Sequence, residues 1–126
     1  MNIISTPNAP AALGHYSQAI VAGGLVYVSG QLPLNPQDLD APLGDIASQT
    51  LQTLKNIDAI LIAAGTTKSQ VLKATIYMTD LALWPQINAT YAEFFGNHKP
   101  ARAAVPISTL PKGCQIEIEV IAQLPN

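Results

Sequence analysis

Charged residues are scarce in this chain of 126 residues, at 11% against about a quarter in a typical soluble domain. Six lysines and arginines and eight aspartates and glutamates are spread without a cluster and give a formal net charge of −2. Proteins that bind nucleic acid or anionic lipid carry basic patches, so we expect neither nucleic acid nor a membrane as a partner. Apolar residues make up 48% of the chain. Because little polar material is left to cover a small sphere, we expect other subunits to cover part of the apolar surface.

The chain also has few cysteines and no long apolar run. Cys114 is the single cysteine, which excludes an internal disulfide and a cysteine-based metal cluster. No segment approaches the roughly 20 apolar residues that a transmembrane helix requires, and residues 1–10 lack the basic start and apolar core of a secretory signal. We therefore expect a soluble, cytoplasmic protein of one domain, residues 1–126, that needs no metal ion and no cofactor.

The spacing of the apolar residues predicts an α+β fold. Two β-branched runs joined at Gly23-Gly24 are typical of a β-hairpin. Helical spacing predicts one amphipathic helix over 46–64 and a second over 85–95. Strand-like runs occur at 71–79, 103–110 and 114–124. The resulting order, β-β-α-β-α-β-β, fits one mixed sheet with both helices on one face, which leaves the other face for burial between subunits.

One arginine lies apart from the other charged residues. Arg102 is flanked by alanines and precedes a strand-like run that carries Glu117 and Glu119. Taken by itself, a lone arginine is more often a structural ion-pair partner than a binding group. Two alternating glutamates are usually one solvated face of a strand, here opposite the apolar face of Ile116 and Ile118.

Four segments together resemble a known family. They read YSQAI at 16–20, VYVSGQLPLNP at 26–36, NATYAEFF at 88–95, and PARAAVP with LPKGCQIEIEVIA between 100 and 122. In order, spacing and length the chain resembles the RidA family, also called the YjgF family. The resemblance implies a chorismate-mutase-like α+β fold and a homotrimer with sites between subunits. It also implies enamine/imine deaminase activity, in which reactive 2-imino acids such as 2-iminopropanoate and 2-iminobutanoate are hydrolysed to 2-oxo acids and ammonia.

The chemistry of a 2-imino acid assigns expected roles to these residues. Arg102 can hold the substrate carboxylate through two parallel hydrogen bonds. Glu117, at the position where the resemblance implies a water-orienting glutamate, can act as a base, with Glu119 as second choice. The resemblance further implies that the substrate contacts the side chain of Tyr16 and the backbone of Gly30 and Ala104. A ligand can approach the backbone of Gly30 closely because glycine has no Cβ atom.

Two departures from the family pattern and two other functions stay open. Ala104 stands where many relatives have a cysteine, so thiol chemistry is excluded there, and His15 replaces a usual proline ahead of Tyr16.

One alternative function is an endoribonuclease or translation inhibitor, an activity also attributed to family members, although this chain lacks a basic groove and a suitable histidine pair. The other is a non-catalytic module that binds small carboxylates or a partner protein. We expect His15 and His98 at the surface and Cys114 as a small buried hydrophobe.

Overall fold

Six strands form one mixed sheet in the computed structural model, which describes residues 1–126. In chain order the strands are β1 (Asn2–Ile4), β2 (Ala19–Ala22), β3 (Leu25–Gln31), β4 (Val71–Met78), β5 (Ala101–Pro106) and β6 (Ile116–Gln123). Their order across the sheet is β1-β2-β3-β6-β4-β5. All neighbouring strands are antiparallel except β4 and β5, which are parallel because α2 (Trp84–Phe95) connects them.

The predicted fold class is confirmed, with two differences in the strands. Both helices, α1 (Ile46–Ala63) and α2, lie at the positions that their apolar spacing predicts. The structure adds β1, which is too short to show a period in the sequence. The prediction that a strand runs over 103–110 is wrong, because β5 begins at Ala101 and ends at Pro106, which pairs with Met78, the last residue of β4.

Helix α1 is fixed at its N-terminus by a side-chain cap and along its length by burial. The Asp45 carboxylate accepts a hydrogen bond from the backbone N–H of Ser48 at 2.8 Å, which satisfies one free donor of the first turn. Leu54, Ile57 and Leu61 form a fully buried stripe against the sheet. Burial of each such side chain contributes roughly 1.5–3 kcal/mol. This stripe holds one face of the sheet under the helices.

The opposite face of the sheet carries no helix, and we call it the open face. Along β6, Ile116, Ile118, Val120 and Ala122 are buried toward the helices, whereas Glu117, Glu119 and Ile121 alternate onto the open face. An apolar row crosses four strands of this face in register. It runs from Ile121 on β6 through Tyr27 on β3 and Ile20 on β2 to Ile3 on β1. Tyr27 is 44% exposed and Ile3 is 65% exposed. No helix of the chain is both long and apolar enough to cross a membrane.

Buried amides hold the two loops that flank the end of β3. The Gln18 side chain accepts from the N–H of Thr6 at 2.7 Å and donates to the carbonyl of Pro10 at 2.9 Å. The Asn56 side chain on α1 donates to the carbonyls of Leu32 and Leu34 at 3.0 and 2.8 Å. Because buried amides are costly when unpaired, these bonds fix the loops in place beside β3.

Candidate functional site

Arg102 lies on the edge strand β5, on the side of the sheet that faces the helices. Its register partner on β4 is Ala74, which is fully buried under the helices. The guanidinium donates through Nη1 to Asn88 Oδ1 at 2.8 Å. Its Cζ lies 4.8 Å from the ring centroid of Trp84 and 5.0 Å from that of Tyr91. Both contacts are within the range of cation–π attraction, so the planar group is held on two rings by α2.

The positive charge of Arg102 has no acidic partner within the chain. The one ion pair in the structure joins Lys112 Nζ to Asp40 Oδ1 at 3.3 Å, and both side chains are exposed. Arg102 therefore does not act as a structural ion-pair partner in this chain, and most of its N–H donors are free. It lines a cavity of about 400 Å³ together with Asn88, Tyr91 and Lys99. A cavity with two cationic side chains and no carboxylate suits an anionic group.

The backbone of β5 adds hydrogen-bonding groups beside Arg102. All six residues of β5 are exposed, and Ile107 N–H donates to the carbonyl of Met78 at 2.8 Å. The N–H and C=O groups of a strand alternate in direction from one residue to the next. Because the N–H of Ile107 points toward β4, the N–H and C=O groups of Arg102 and Ala104 point outward, from the unpaired edge of β5. Pro106, which has no N–H, occupies another outward position. The N–H of Ala104 therefore points outward from the free edge of β5 and has no strand partner within the chain.

Glu117 lies on the open face, where burial and a second carboxylate change its acidity. It is half-buried and pairs across the sheet with Tyr77 of β4. Burial first, and then the negative charge of Glu119, raise the pKa of Glu117. No hydrogen bond to its carboxylate opposes this increase. A carboxyl group of this kind can take up and release a proton closer to neutral pH than an ordinary glutamate can.

Gly30 fits directly against the carboxyl group of Glu117. A Cβ atom at position 30 would lie 2.9 Å from Glu117 Cδ and 3.0 Å from its Oε1, closer than non-bonded atoms approach. The β3–β6 register shifts between Val28 and Gln31, which brings Gly30 to this place. The sequence predicts glycine here for close approach of a ligand, and the structure adds that the missing Cβ makes room for Glu117.

Tyr16 lies on the same side of the site as Gly30. It is 52% exposed, and both residues line a cavity of about 120 Å³ whose apolar wall includes Leu13, Leu34 and Leu39. The loops that Gln18 and Asn56 fix supply these leucines. We call Tyr16, Gly30 and Glu117 the glutamate group, and Arg102 with the backbone of Ala104 the arginine group.

The structure does not bring the two groups together within one chain. Arg102 faces the helices whereas Glu117 faces away from them, and β4 lies between their strands. Two strand spacings separate β5 from β6 by about 10 Å, and the register on β4, Ala74 against Tyr77, adds about 10 Å along the strands. The carboxylate and imine carbon of a 2-imino acid are adjacent atoms. One substrate molecule therefore cannot reach both groups within a single chain.

Sequence reasoning missed the residues of α2 that support Arg102. Trp84, Asn88 and Tyr91 are spaced i, i+4 and i+7, so they lie on one helical face. That spacing, together with the rule that a helix between two parallel strands packs back on the sheet, is a signal that could have identified them. The buried hydroxyl of Tyr91 has no hydrogen-bond partner in the chain, and burial raises its pKa whereas the charge of Arg102 lowers it.

The remaining expected side chains differ in their surroundings. Cys114 is 2% exposed, as predicted, and burial raises the pKa of its thiol. His15 is exposed, but His98 is half-buried, and its Nε2 lies 2.6 Å from the carbonyl oxygen of Val71, so it is not the free surface residue that we expect from the sequence. No three His, Cys, Asp or Glu side chains lie together in an arrangement suited to a metal ion.

Known proteins resemble this chain over almost its whole length. The family model described as Endoribonuclease L-PSP matches residues 6–124. A RutC family protein of Pyrococcus horikoshii is 49% identical over 95% of this chain and 95% of that protein. The 2-iminobutanoate/2-iminopropanoate deaminase of Escherichia coli K12 is 43% identical over 94% of each chain. The crystal structure of E. coli TdcF with bound serine has a TM-score of 0.94 and 38% identity, covering 99% of this chain and 100% of that one.

Proposed function

This chain belongs to the RidA family, whose family model carries the description Endoribonuclease L-PSP, and we propose that it is an enamine/imine deaminase. Its substrates are small 2-imino acids such as 2-iminopropanoate and 2-iminobutanoate, and its products are 2-oxo acids and ammonia. The observation that carries the proposal is Arg102, an unpaired guanidinium that α2 holds on two aromatic rings beside a free strand edge.

Arg102 binds the substrate carboxylate. Its fork-shaped guanidinium matches the two oxygens of a carboxylate, and its stacking on Trp84 and Tyr91 fixes the plane of the fork before substrate arrives. The outward N–H of Ala104 can donate to the same end of the molecule. The bound serine of TdcF supports this role, because an amino acid carries the same carboxylate beside a carbon bonded to nitrogen.

Glu117 moves the proton. A water molecule adds to the imine carbon, so a C–O bond forms while the electron pair of the C=N double bond passes to nitrogen. Glu117 accepts the proton that the water loses and returns it to the nitrogen, which gives a carbinolamine. Glu117 then accepts the proton of the new hydroxyl group and passes it to the amine, so that the C–N bond breaks and ammonia leaves as the C=O bond forms. The raised pKa of Glu117 suits both directions of this transfer, since burial and the charge of Glu119 make its carboxylate a stronger base than an ordinary glutamate while its acid form can still release a proton.

A homotrimer joins the two groups. Arg102 and Glu117 lie on opposite faces of the sheet, so we propose that each site combines the arginine group of one subunit with the glutamate group of its neighbour. The apolar row of the open face and the exposed edge of β5 supply surface for this contact. A closed ring of three repeats one contact between different surfaces and yields three equal sites.

The activity is tested by ammonia release from 2-iminopropanoate and 2-iminobutanoate that a coupled enzyme generates in the cuvette. We expect the protein to accelerate release, and both Arg102→Ala and Arg102→Lys to lose about 30-fold or more of kcat/KM, because lysine cannot form the two-pronged contact. Full activity in a correctly assembled Arg102→Ala variant would falsify the proposal. Binding of 2-oxo acids without turnover would favour the binding module, and cleavage of RNA under the same conditions would favour the ribonuclease.

A further inference from the structure

Tyr77 makes a hydrogen bond that distinguishes the two glutamates of β6. Tyr77 lies directly opposite Glu117 in the β4–β6 register. The side chains of Tyr77, Glu117 and Glu119 all point onto the open face. Its hydroxyl nevertheless donates diagonally to Glu119 Oε1, at 2.7 Å. Diagonal neighbours on a sheet face lie within reach of an aromatic side chain. The hydroxyl is therefore committed to Glu119, and Glu117 receives no hydrogen bond from it.

The two carboxyl groups consequently have different surroundings. Glu119 is held by a short hydrogen bond to Tyr77, whereas Glu117 is packed against the backbone of Gly30 without such a bond. Alternate residues of a strand are about 7 Å apart, so the charge of one acts strongly on the other on a partly dehydrated face. Two carboxyl groups whose surroundings differ in this way commonly divide the work, one as a fixed charge and one as the proton carrier.

We propose that Tyr77 and Glu119 form a positioning pair that fixes a negative charge beside Glu117, so that Glu117 rather than Glu119 exchanges the proton during imine hydrolysis. The inference rests on the proposed function of Glu117. It changes the role of Glu119 from a second candidate base to a residue that acts through its neighbour.

The other titratable groups near the pair are not among the causes that raise the pKa of Glu117. Lys73 of β4 and Tyr27 of β3 line a cleft of about 280 Å³ together with Glu119, and Cys114 precedes β6. The hydrogen bond to Glu119, burial, and the charges of both glutamates raise the pKa of Tyr77, so its hydroxyl keeps its proton and remains the donor. The negative charge of Glu119 is one of the two causes that raise the pKa of Glu117, and no cation is among them.

The test measures the protonation of Glu117 directly and through the reaction. The ¹³C signal of its side-chain carboxyl group is titrated by NMR in the wild type, Glu119→Gln and Tyr77→Phe, and kcat/KM is measured over the same pH range. We expect Glu119→Gln to shift the titration and the acid limb of the rate profile to lower pH. Tyr77→Phe should shift both in the same direction by less, because the charge remains but is no longer held in place. In a Glu119→Gln background, Tyr77→Phe should cause no further shift.

Tyr27→Phe is the matched control, since it removes a hydroxyl from the same face without a bond to either glutamate. We expect it to leave the titration of Glu117 unchanged. The inference is overturned if Glu119→Gln leaves the titration of Glu117 in place, or if the two substitutions shift it additively. The NMR readout needs no turnover, so an inactive wild type whose Glu117 still responds to Glu119→Gln would reject the proposed reaction and retain the electrostatic pair.

Discussion

Replacing Gly30 by alanine should misplace Glu117 without unfolding the protein. The new Cβ would lie 2.9 Å from Glu117 Cδ, whereas non-bonded carbon atoms prefer about 3.5–4.0 Å. The carboxyl group must therefore move by about 0.6–1.1 Å. Because a displacement near 1 Å in a catalytic group costs on the order of 100-fold in rate, we expect kcat to fall by about that factor.

The same substitution should hardly change stability. Gly30 is not among the glycines with positive φ, so its backbone accommodates alanine. Glycine to alanine at such a site gains about 0.4–1 kcal/mol by restricting the unfolded chain. A glutamate forced off its preferred rotamer loses about 0.5–1.5 kcal/mol. These contributions nearly cancel, so the free energy of unfolding should stay within about 1 kcal/mol of the wild type.

The assay is ammonia release by Gly30→Ala, Glu117→Gln and the double variant, with thermal unfolding measured in parallel. If Gly30→Ala acts only by displacing Glu117, it should lower kcat in the wild-type background and have little effect once Glu117 is glutamine. Near-normal turnover by Gly30→Ala would refute the reasoning. An equal further loss in the double variant would also refute it, since alanine would then be disturbing something other than Glu117.

Three further predictions concern charge and metal. Asn88→Asp should weaken 2-oxo acid binding more than Asn88→Ala does, because an aspartate beside Arg102 Nη1 would pair with the guanidinium and compete with the substrate carboxylate; calorimetric titration of both variants compares them. Glu117→Gln should unfold at the same or a higher temperature than the wild type at pH 7, since a raised carboxyl pKa means that the ionised form is disfavoured in the fold. The difference should disappear as the pH falls through the pKa of Glu117, and persistence of the gain in acid would contradict it. Treatment with a chelator should leave imine hydrolysis unchanged, and an activity lost on chelation and restored by zinc would overturn that expectation.

Local patterns in the sequence were sufficient to predict most of the fold. The glycine pair at 23–24, the capped helix α1 and the alternation of β6 each follow from rules that act over a few residues. The end of β5 was not predicted, because it depends on the partner strand: β4 ends at Met78, which pairs with Pro106. Strand β1 likewise depends on pairing with β2 rather than on its own pattern.

The candidate site was less predictable, because it depends on which face of the sheet each residue occupies. The motif around Arg102 and Glu117 suggests that they work together, yet the register of β4, β5 and β6 places them on opposite faces. The contact between Gly30 and Glu117 and the diagonal bond from Tyr77 to Glu119 join residues far apart in the chain. Only the strand order and the bulge in β3 determine these contacts, and neither can be read from local spacing.

Complementation between two inactive variants tests the shared site most directly. Arg102→Ala retains the glutamate group and Glu117→Gln retains the arginine group, so a mixed trimer contains interfaces with both intact groups. Equal amounts of the two variants, differently tagged and reassembled together, should form complete sites at about a quarter of the interfaces, with a corresponding share of wild-type activity. If mixed trimers isolated through both tags are no more active than either variant alone, the two groups do not act across subunits and the account is contradicted.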